Sequence, residues 1–257
     1  MKIIYTLLIL SLIFSGCSSK NVQSPLKTIE KSEDTAEDLA QFSDEFEEQE
    51  VYDPLNGYNR FMTGFNDSIY IYLLKPAVSS YRSAVHIKIR ESIRNFFNNL
   101  YFPMRFVNNI LQGKFLNSFQ ESERFVVNST LGVAGLFDPA LSYFEIDPHE
   151  EDFGQTLGFY GVGSGVHIVL PLLGPSNLRD AISLYPDSLL SFIDYENRSY
   201  WTLTDTTSEY IVARTVKEVN NLSFEMQKYD RMREDALDLY PYLRDVYEQY
   251  RKKQIEE

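Results

Sequence analysis

Cysteine is almost missing from this chain: of 257 residues only Cys17 carries a thiol. An intrachain disulfide and a thiolate metal cluster are therefore excluded. Histidine is nearly as scarce, and His86, His149 and His167 stand too far apart to form a zinc motif by spacing. Basic residues are outnumbered, with 24 Lys and Arg against 37 Asp and Glu and a formal net charge of −13. No basic stripe offsets that balance, so a nucleic-acid partner held by its phosphates is not expected. Long apolar runs are also absent beyond residue 14. The longest later candidates, 69–74 and 166–173, fall far short of the ~20 residues a spanning helix needs. Alternating strand patterns do not persist anywhere, whereas helical periods recur.

What the chain does have is aromatic surface and an unusual distribution of glycine. Eighteen Tyr and 18 Phe accompany a single Trp, an excess that suits a large core or a surface meeting a membrane interface. Eight of the 12 glycines lie between Gly132 and Gly174, flanked by apolar side chains. Backbone freedom is thus concentrated in a segment that has to lie against something.

The first residues have a charged start, an apolar middle from Ile3 to Phe14, and Ser15-Gly16 ahead of the lone Cys17. This is the pattern of a signal peptide over residues 1–16. It resembles a bacterial lipobox with Phe14 in place of the usual Leu, which makes Cys17 the lipid anchor. Ser18 and Ser19 follow in place of Asp, the sorting pattern of outer-membrane lipoproteins. Residues 17–51 then form an acidic segment poor in aromatics, read as a disordered tether. A folded domain is expected over residues 52–257.

Within that domain Asp53-Pro54 is expected to cap a first helix and Lys75-Pro76 to end it. A second helix places Ile89, Ile93, Phe96, Phe97 and Leu100 on one stripe, with Arg90, Arg94 and Asn98 elsewhere on its surface. That pattern fits a core-facing helix or a membrane-surface helix. Pro103 opens a shorter helix closed by Gly113, and Phe115, Phe119, Ser122 and Val126 repeat at helical spacing. Ser176-Asn177 is placed to cap a helix from Leu178. Thr206 and Glu209 have capping-box spacing, and a last helix starts near Pro241. The fold class read from these periods is all-α.

Chemistry is hard to find. Gly161-Val162-Gly163-Ser164-Gly165 lacks the third glycine of a dinucleotide loop and the spacing of a nucleophile elbow. A Ser164 and His167 dyad on a helix is the one hydrolytic arrangement available. Asp147, Glu150, Glu151 and Asp152 are paired acids or, as is common, a solvated loop. A binding or transport module with no catalytic residues, no metal and no cofactor is the expected class.

Several motifs have closer parallels. Asp53-Pro54-Leu55-Asn56-Gly57-Tyr58-Asn59-Arg60, Asn95-Phe96-Phe97-Asn98-Asn99-Leu100, Val107-Asn108-Asn109, the run from Arg124 to Gly132, Phe153-Gly154-Gln155-Thr156-Leu157-Gly158, the run from Leu170 to Pro175, and Leu178-Arg179-Asp180 together resemble the MlaA/VacJ family of outer-membrane lipoproteins. The likeness extends from about Asp53 to Tyr250. Asn56 stands where the family usually has Glu, and Val166-His167 where it usually has Pro-Tyr.

The resemblance implies a ring-shaped single domain of amphipathic helices embedded in one membrane leaflet around a central amphipathic channel. It further implies removal of misplaced phospholipids from the outer leaflet of the outer membrane. The implied partners are an outer-membrane porin trimer and a soluble periplasmic lipid carrier. On that reading Gly132, Gly135, Leu136 and Phe137 form a mobile apolar hairpin beside the channel, and Gly64, Phe65 and Asn66 a second flexible point in the first helix. Turns packed in a core account for the same glycines. A phospholipase using Ser164 and His167, and a scaffold for outer-membrane protein assembly, are the alternative functions.

Overall fold

Helix ends in this chain are set by short-range caps, and helix partners by long-range polar contacts. The computed structural model describes residues 52–193, 203–204 and 206–257. The expected signal peptide, Cys17 and the tether lie outside the described residues, which belong to one unit, Tyr52–Glu257.

The first helix, α1, runs Asn56–Ile69. Asp53 does not cap it. Its carboxylate is drawn instead to Asn59 Nδ2 at 3.3 Å and to the Tyr240 hydroxyl of the last helix. Lys75-Pro76 does not end the helical run either. A π turn at Tyr70–Leu74 widens the winding, and α2 continues through Lys75–Ala84 with Pro76 in its first turn. There the missing proline N–H interrupts no regular bond.

Next come α3 (Ile87–Leu100), α4 (Phe102–Leu111) and α5 (Phe115–Thr130). Gly113 between the last two takes φ 75°, the left-handed turn expected of it. Two short helices follow, α6 (Pro139–Phe144) and α7 (Phe153–Phe159), capped by Asp138 and Asp152. A small antiparallel hairpin then pairs β1 (His167–Leu170) with β2 (Gly174–Asn177), His167 opposite Asn177. Periodicity gave no sign of it, because four residues are too few to show alternation. Asn177 caps α8 (Leu178–Leu189) through the Asp180 N–H at 2.9 Å. Thr206 and Glu209 form the full capping box of α9 (Thr207–Asp235), and α10 is Leu239–Glu256.

These helices close a circuit. From α1 the π turn leads to α2, which packs on α9; α9 packs on α3, α3 on α4, α4 on α7, α7 on α10, and α10 returns to α1. The domain is therefore an all-α ring with one β hairpin laid on α1 and α10.

Burial in this ring is inverted. Its largest fully buried side chains include Glu121, Asn59, Asn108, Asn109, Asn177 and Asn220 beside Val78 and Val169, while among the described residues the buried apolar residues that cluster are Tyr70, Val78 and Met226. Phe115 and Phe119, at helical spacing, face outward at 70% and 60% exposure, and Glu121, Arg124 and Asn128 of the same helix point in. On α3 the stripe is divided: Ile89 is exposed, Ile93, Phe96 and Leu100 are half-buried and Phe97 is buried, while Arg90 off the stripe is buried too, so the inward face takes in polar groups as well as part of the stripe. Periodicity separates two faces of a helix but does not say which medium each meets.

A polar interior is stable only when its groups bond one another. Asn59 donates to the His167 carbonyl at 3.0 Å and accepts from Val169 N at 2.9 Å, fixing the hairpin to α1. Asn220 donates to the Arg90 carbonyl at 3.0 Å and accepts from the Tyr81 hydroxyl at 2.7 Å. The densest node is Asp180, which accepts from Arg179 Nε at 2.8 Å, Arg251 Nε at 2.9 Å and Tyr247 Oη at 2.7 Å. Burial alone would raise its pKa, but the bonds from Arg179 and Arg251 outweigh it and hold the carboxyl below the ordinary range.

Asp180→Asn keeps the shape of this node and removes its charge, leaving Arg179 and Arg251 short of a counter-ion. A loss of about 3–5 kcal/mol is expected, as for a broken buried ion pair. Denaturant unfolding in detergent measures it, and an unchanged midpoint would deny the node its structural role.

Candidate functional site

The inward faces of the ring line partly open cavities that share wall residues. One of about 450 Å³ is lined by Arg94, Asn95, Asn98, Arg124, Glu150 and Glu225, from α3, α5, α9 and the loop before α7. A second, of about 550 Å³, shares Asn98, Arg105 and Glu150 with it and reaches Arg214 and Lys217 on α9 and Asp187 on α8. A third, of about 350 Å³, is walled by Leu74, Leu172, Leu222 and Met232. It meets the first at Glu225 and the second at Leu173. The lining thus passes from polar and charged to apolar without leaving the interior.

Most charges on these walls are spoken for. Arg105 bonds Glu121 at 2.7 Å, Arg124 bonds Asp138 at 2.7 Å, Lys114 bonds Glu151 at 2.7 Å, and Arg251 bonds Asp152 at 2.8 Å. For Asp138, burial raises the pKa, yet the bonds from Leu141 N, Arg124 and Asn128 leave it below the ordinary carboxylate range. A few groups are less committed. Arg94 lies over the Phe224 ring at 4.2 Å, and Lys217, paired with Glu218 on its own helix at 3.2 Å, lies over Tyr101 at 4.6 Å. Asp187 accepts from Phe153 N at 3.0 Å and from Asn108 Nδ2 at 3.3 Å but pairs with no cation among the described residues. Burial, then the neighbouring Asp152, pushes its pKa up to about 7.

Gly132, Gly135, Leu136 and Phe137 fall in the turn between α5 and α6, where Val133, Ala134 and Gly135 all take positive φ. A Cβ at Gly132 would run into the carbonyl oxygens of Asn128 and Phe137, and one at Gly135 would lie 2.6 Å from Asn99 Cβ. Leu136 and Phe137 are exposed and line a further cavity of about 620 Å³ that shares Asn95 and Leu141 with the first. The turn therefore borders the ring interior. Gly64 and Phe65 are exposed on α1. Asn66 donates to the Leu170 carbonyl at 2.9 Å and accepts from Leu172 N at 2.8 Å, clasping the tip of the β hairpin beside the third cavity.

Ser164 and His167 do not share a helix. His167 is on β1, buried, with Nδ1 3.0 Å from Glu248 Oε1, while the Ser164 carbonyl accepts from Arg179 N at 3.1 Å. Among the described residues no group of three or more His, Cys, Asp or Glu side chains is placed to hold a metal ion. Arg94, Arg214, Lys217 and Asp187 were not singled out as site residues in the sequence. They come from α3, α9 and α8, and no local motif joins them. Glu150 was visible only as one member of an acidic loop.

Among the described residues no helix is long and apolar enough to cross a membrane. The class is that of an all-α ring with an apolar outer surface and an amphipathic interior. Residues 51–254 match the family model described as MlaA lipoprotein, and the chain belongs to that family. The "Intermembrane phospholipid transport system lipoprotein MlaA" of Escherichia coli (strain K12) is 37% identical over 164 residues, covering 59% of this chain and 63% of that protein. Its namesake in Haemophilus influenzae is 30% identical over 194 residues, covering 72% of this chain and 69% of that one. A solved structure reported as "Structural basis for maintenance of bacterial outer membrane lipid asymmetry" superposes with a TM-score of 0.65 at 30% identity, over 80% of this chain and all of that one.

The raised pKa of Asp187 has a sign that can be tested. An acid whose folded pKa lies above its unfolded value contributes stability below the unfolded pKa, and that contribution is lost as pH rises to the folded one. With an ordinary value of 3.8 and a folded value of about 7, the loss falls between about pH 4 and 7. Asp187→Asn removes it, so the variant should gain thermal stability relative to the parent at pH 8 and not at pH 4. Melting curves at the two pH values decide; equal differences at both would remove the effect.

Proposed function

We propose that this protein removes phospholipids misplaced in the outer leaflet of the outer membrane and delivers them toward the periplasm, keeping that membrane asymmetric. The observation that carries the reading is the inverted burial. Side chains such as Phe115, Leu116 and Phe119 are turned outward where hydrocarbon can solvate them, and a polar-to-apolar path runs through the interior. At about 0.8 kcal/mol per buried methylene, taking two acyl chains of about 16 carbons each into water would cost on the order of 25 kcal/mol. A carrier must therefore offer the chains an apolar wall and the head group a polar one throughout.

In this reading residues 1–16 are the signal peptide, Cys17 carries the lipid anchor, and 17–51 tether the ring, which occupies residues 52–257. The ring lies in the inner leaflet of the outer membrane. It works beside a porin trimer and hands lipid to a soluble periplasmic carrier. The turn at Gly132, Gly135, Leu136 and Phe137 acts as the apolar flap over the path, and Gly64, Phe65 and Asn66 govern how α1 and the β hairpin meet. The role is transport and not hydrolysis. Supporting that is the placement of His167, buried and bonded to Glu248, away from any helix shared with Ser164.

Cells whose only copy is deleted should show outer-leaflet phospholipid, read as lipid accessible to an added phospholipase, and re-expression should restore asymmetry. Phe137→Ser changes an exposed side chain and not the turn's packing, so at unchanged protein level it should restore asymmetry only in part. Full restoration removes the flap role; an intact outer leaflet in the deletion strain removes the function. Lysophospholipid release by the pure protein would favour an enzyme instead.

A further inference from the structure

The second cavity is unevenly charged in a way the fold does not require. Arg214 and Lys217 are one turn apart on α9, so their side chains share a face. Among the described residues they have one carboxylate between them, Glu218, at 3.9 Å from Arg214 and 3.2 Å from Lys217, which leaves two cations to one anion there. The Lys217 side chain is 14% exposed and rests on Tyr101, so its position in the wall is defined. Other elements supply the opposite imbalance. Glu150, from the loop before α7, and Asp187, from α8, line the same cavity and pair with no cation among the described residues. Asp152 beside them is taken by Arg251, and Arg105 by Glu121. Charge of both signs in one partly enclosed space of about 550 Å³ matches a ligand that carries both signs a few ångströms apart.

We propose that this cavity selects zwitterionic phospholipid head groups bearing a phosphate and a primary ammonium, the phosphate against Arg214 and Lys217 and the ammonium against Glu150 and Asp187. The inference deepens the transport reading and rests on it. A head group with a phosphate and only hydroxyls satisfies the α9 wall but gives Glu150 and Asp187 no cation, which costs most at the half-buried Asp187. An ammonium offers three donors and a charge to the same groups. Burial and the neighbouring Asp152 raise the Asp187 pKa to about 7, and an ammonium beside it would act against that rise. The apolar third cavity, which meets this one at Leu173, gives the acyl chains a continuous surface.

The full-length protein, purified in detergent, is incubated with vesicles of equal phosphatidylethanolamine and phosphatidylglycerol, and the lipid that remains bound is quantified by mass spectrometry. The bound ratio of phosphatidylethanolamine to phosphatidylglycerol should be about five to one against one to one in the vesicles, the discrimination of one partly screened ion pair. Glu150→Gln with Asp187→Asn should return the bound ratio to that of the vesicles, bound phosphatidylethanolamine falling to the level of phosphatidylglycerol. Arg214→Gln with Lys217→Gln should lower both lipids together. Because Glu150 is exposed, Glu150→Gln alone carries the test should the double variant misfold, and at least halves the enrichment. A wild-type ratio equal to input, or enrichment that survives loss of the carboxylates, overturns the selectivity and leaves transport standing. No bound phospholipid of either kind overturns both.

Discussion

The ring depends on the need to satisfy a polar interior without water. Asp180 is the point at which that need is most concentrated. Its carboxylate gathers Asn177, Arg179, Arg251 and Tyr247, and Arg251 goes on to Asp152, so one buried charge joins the hairpin, α7, α8 and α10. Ions this far from solvent are tolerable only as a closed set, since each unpaired member would cost several kcal/mol. The same condition governs the other side of the ring. There Arg105 and Glu121 lock α4 to α5, and Asn220 joins α9 to α3 and α2.

Once the inside is polar, the outside has to be the apolar face. Helices that alternate aromatic and amide faces satisfy that in hydrocarbon as readily as ordinary helices satisfy the reverse in water. The interior can then remain open. A packed apolar core collapses onto itself, whereas walls held by directional hydrogen bonds and ion pairs keep their distance and leave room for a head group and its chains. The tight turn before α6 and the Asn66 clasp on the β hairpin sit where such a lining meets its borders.

How much of this was legible in the sequence varied with the range of the interaction. Caps made within three residues were readable, as at Asn177 and at the Thr206–Glu209 box. Asp53 looked like a cap and instead serves α10, because a partner far along the chain, Tyr240, outbid the nearby N–H groups. Pro76 looked like a stop, but a π turn accommodated it. The hairpin at His167–Asn177 was invisible to periodicity because its strands are short and are held by Asn59 more than by their own pattern. The candidate head-group residues could not be found by motif, since Arg214, Lys217, Glu150 and Asp187 converge only when the ring closes.

The sequence by itself determined the helical periods, the local caps, the absence of a long apolar span after residue 14, and the motifs of the MlaA lipoprotein family. Each is a property of neighbours along the chain or of composition. Only the tertiary structure decided which face of each helix turns inward and which charges share a cavity. Amphipathic periodicity is the same whether the apolar stripe meets a core or a lipid, and the choice is made by the closed circuit that brings Asp180, Arg251 and their partners together.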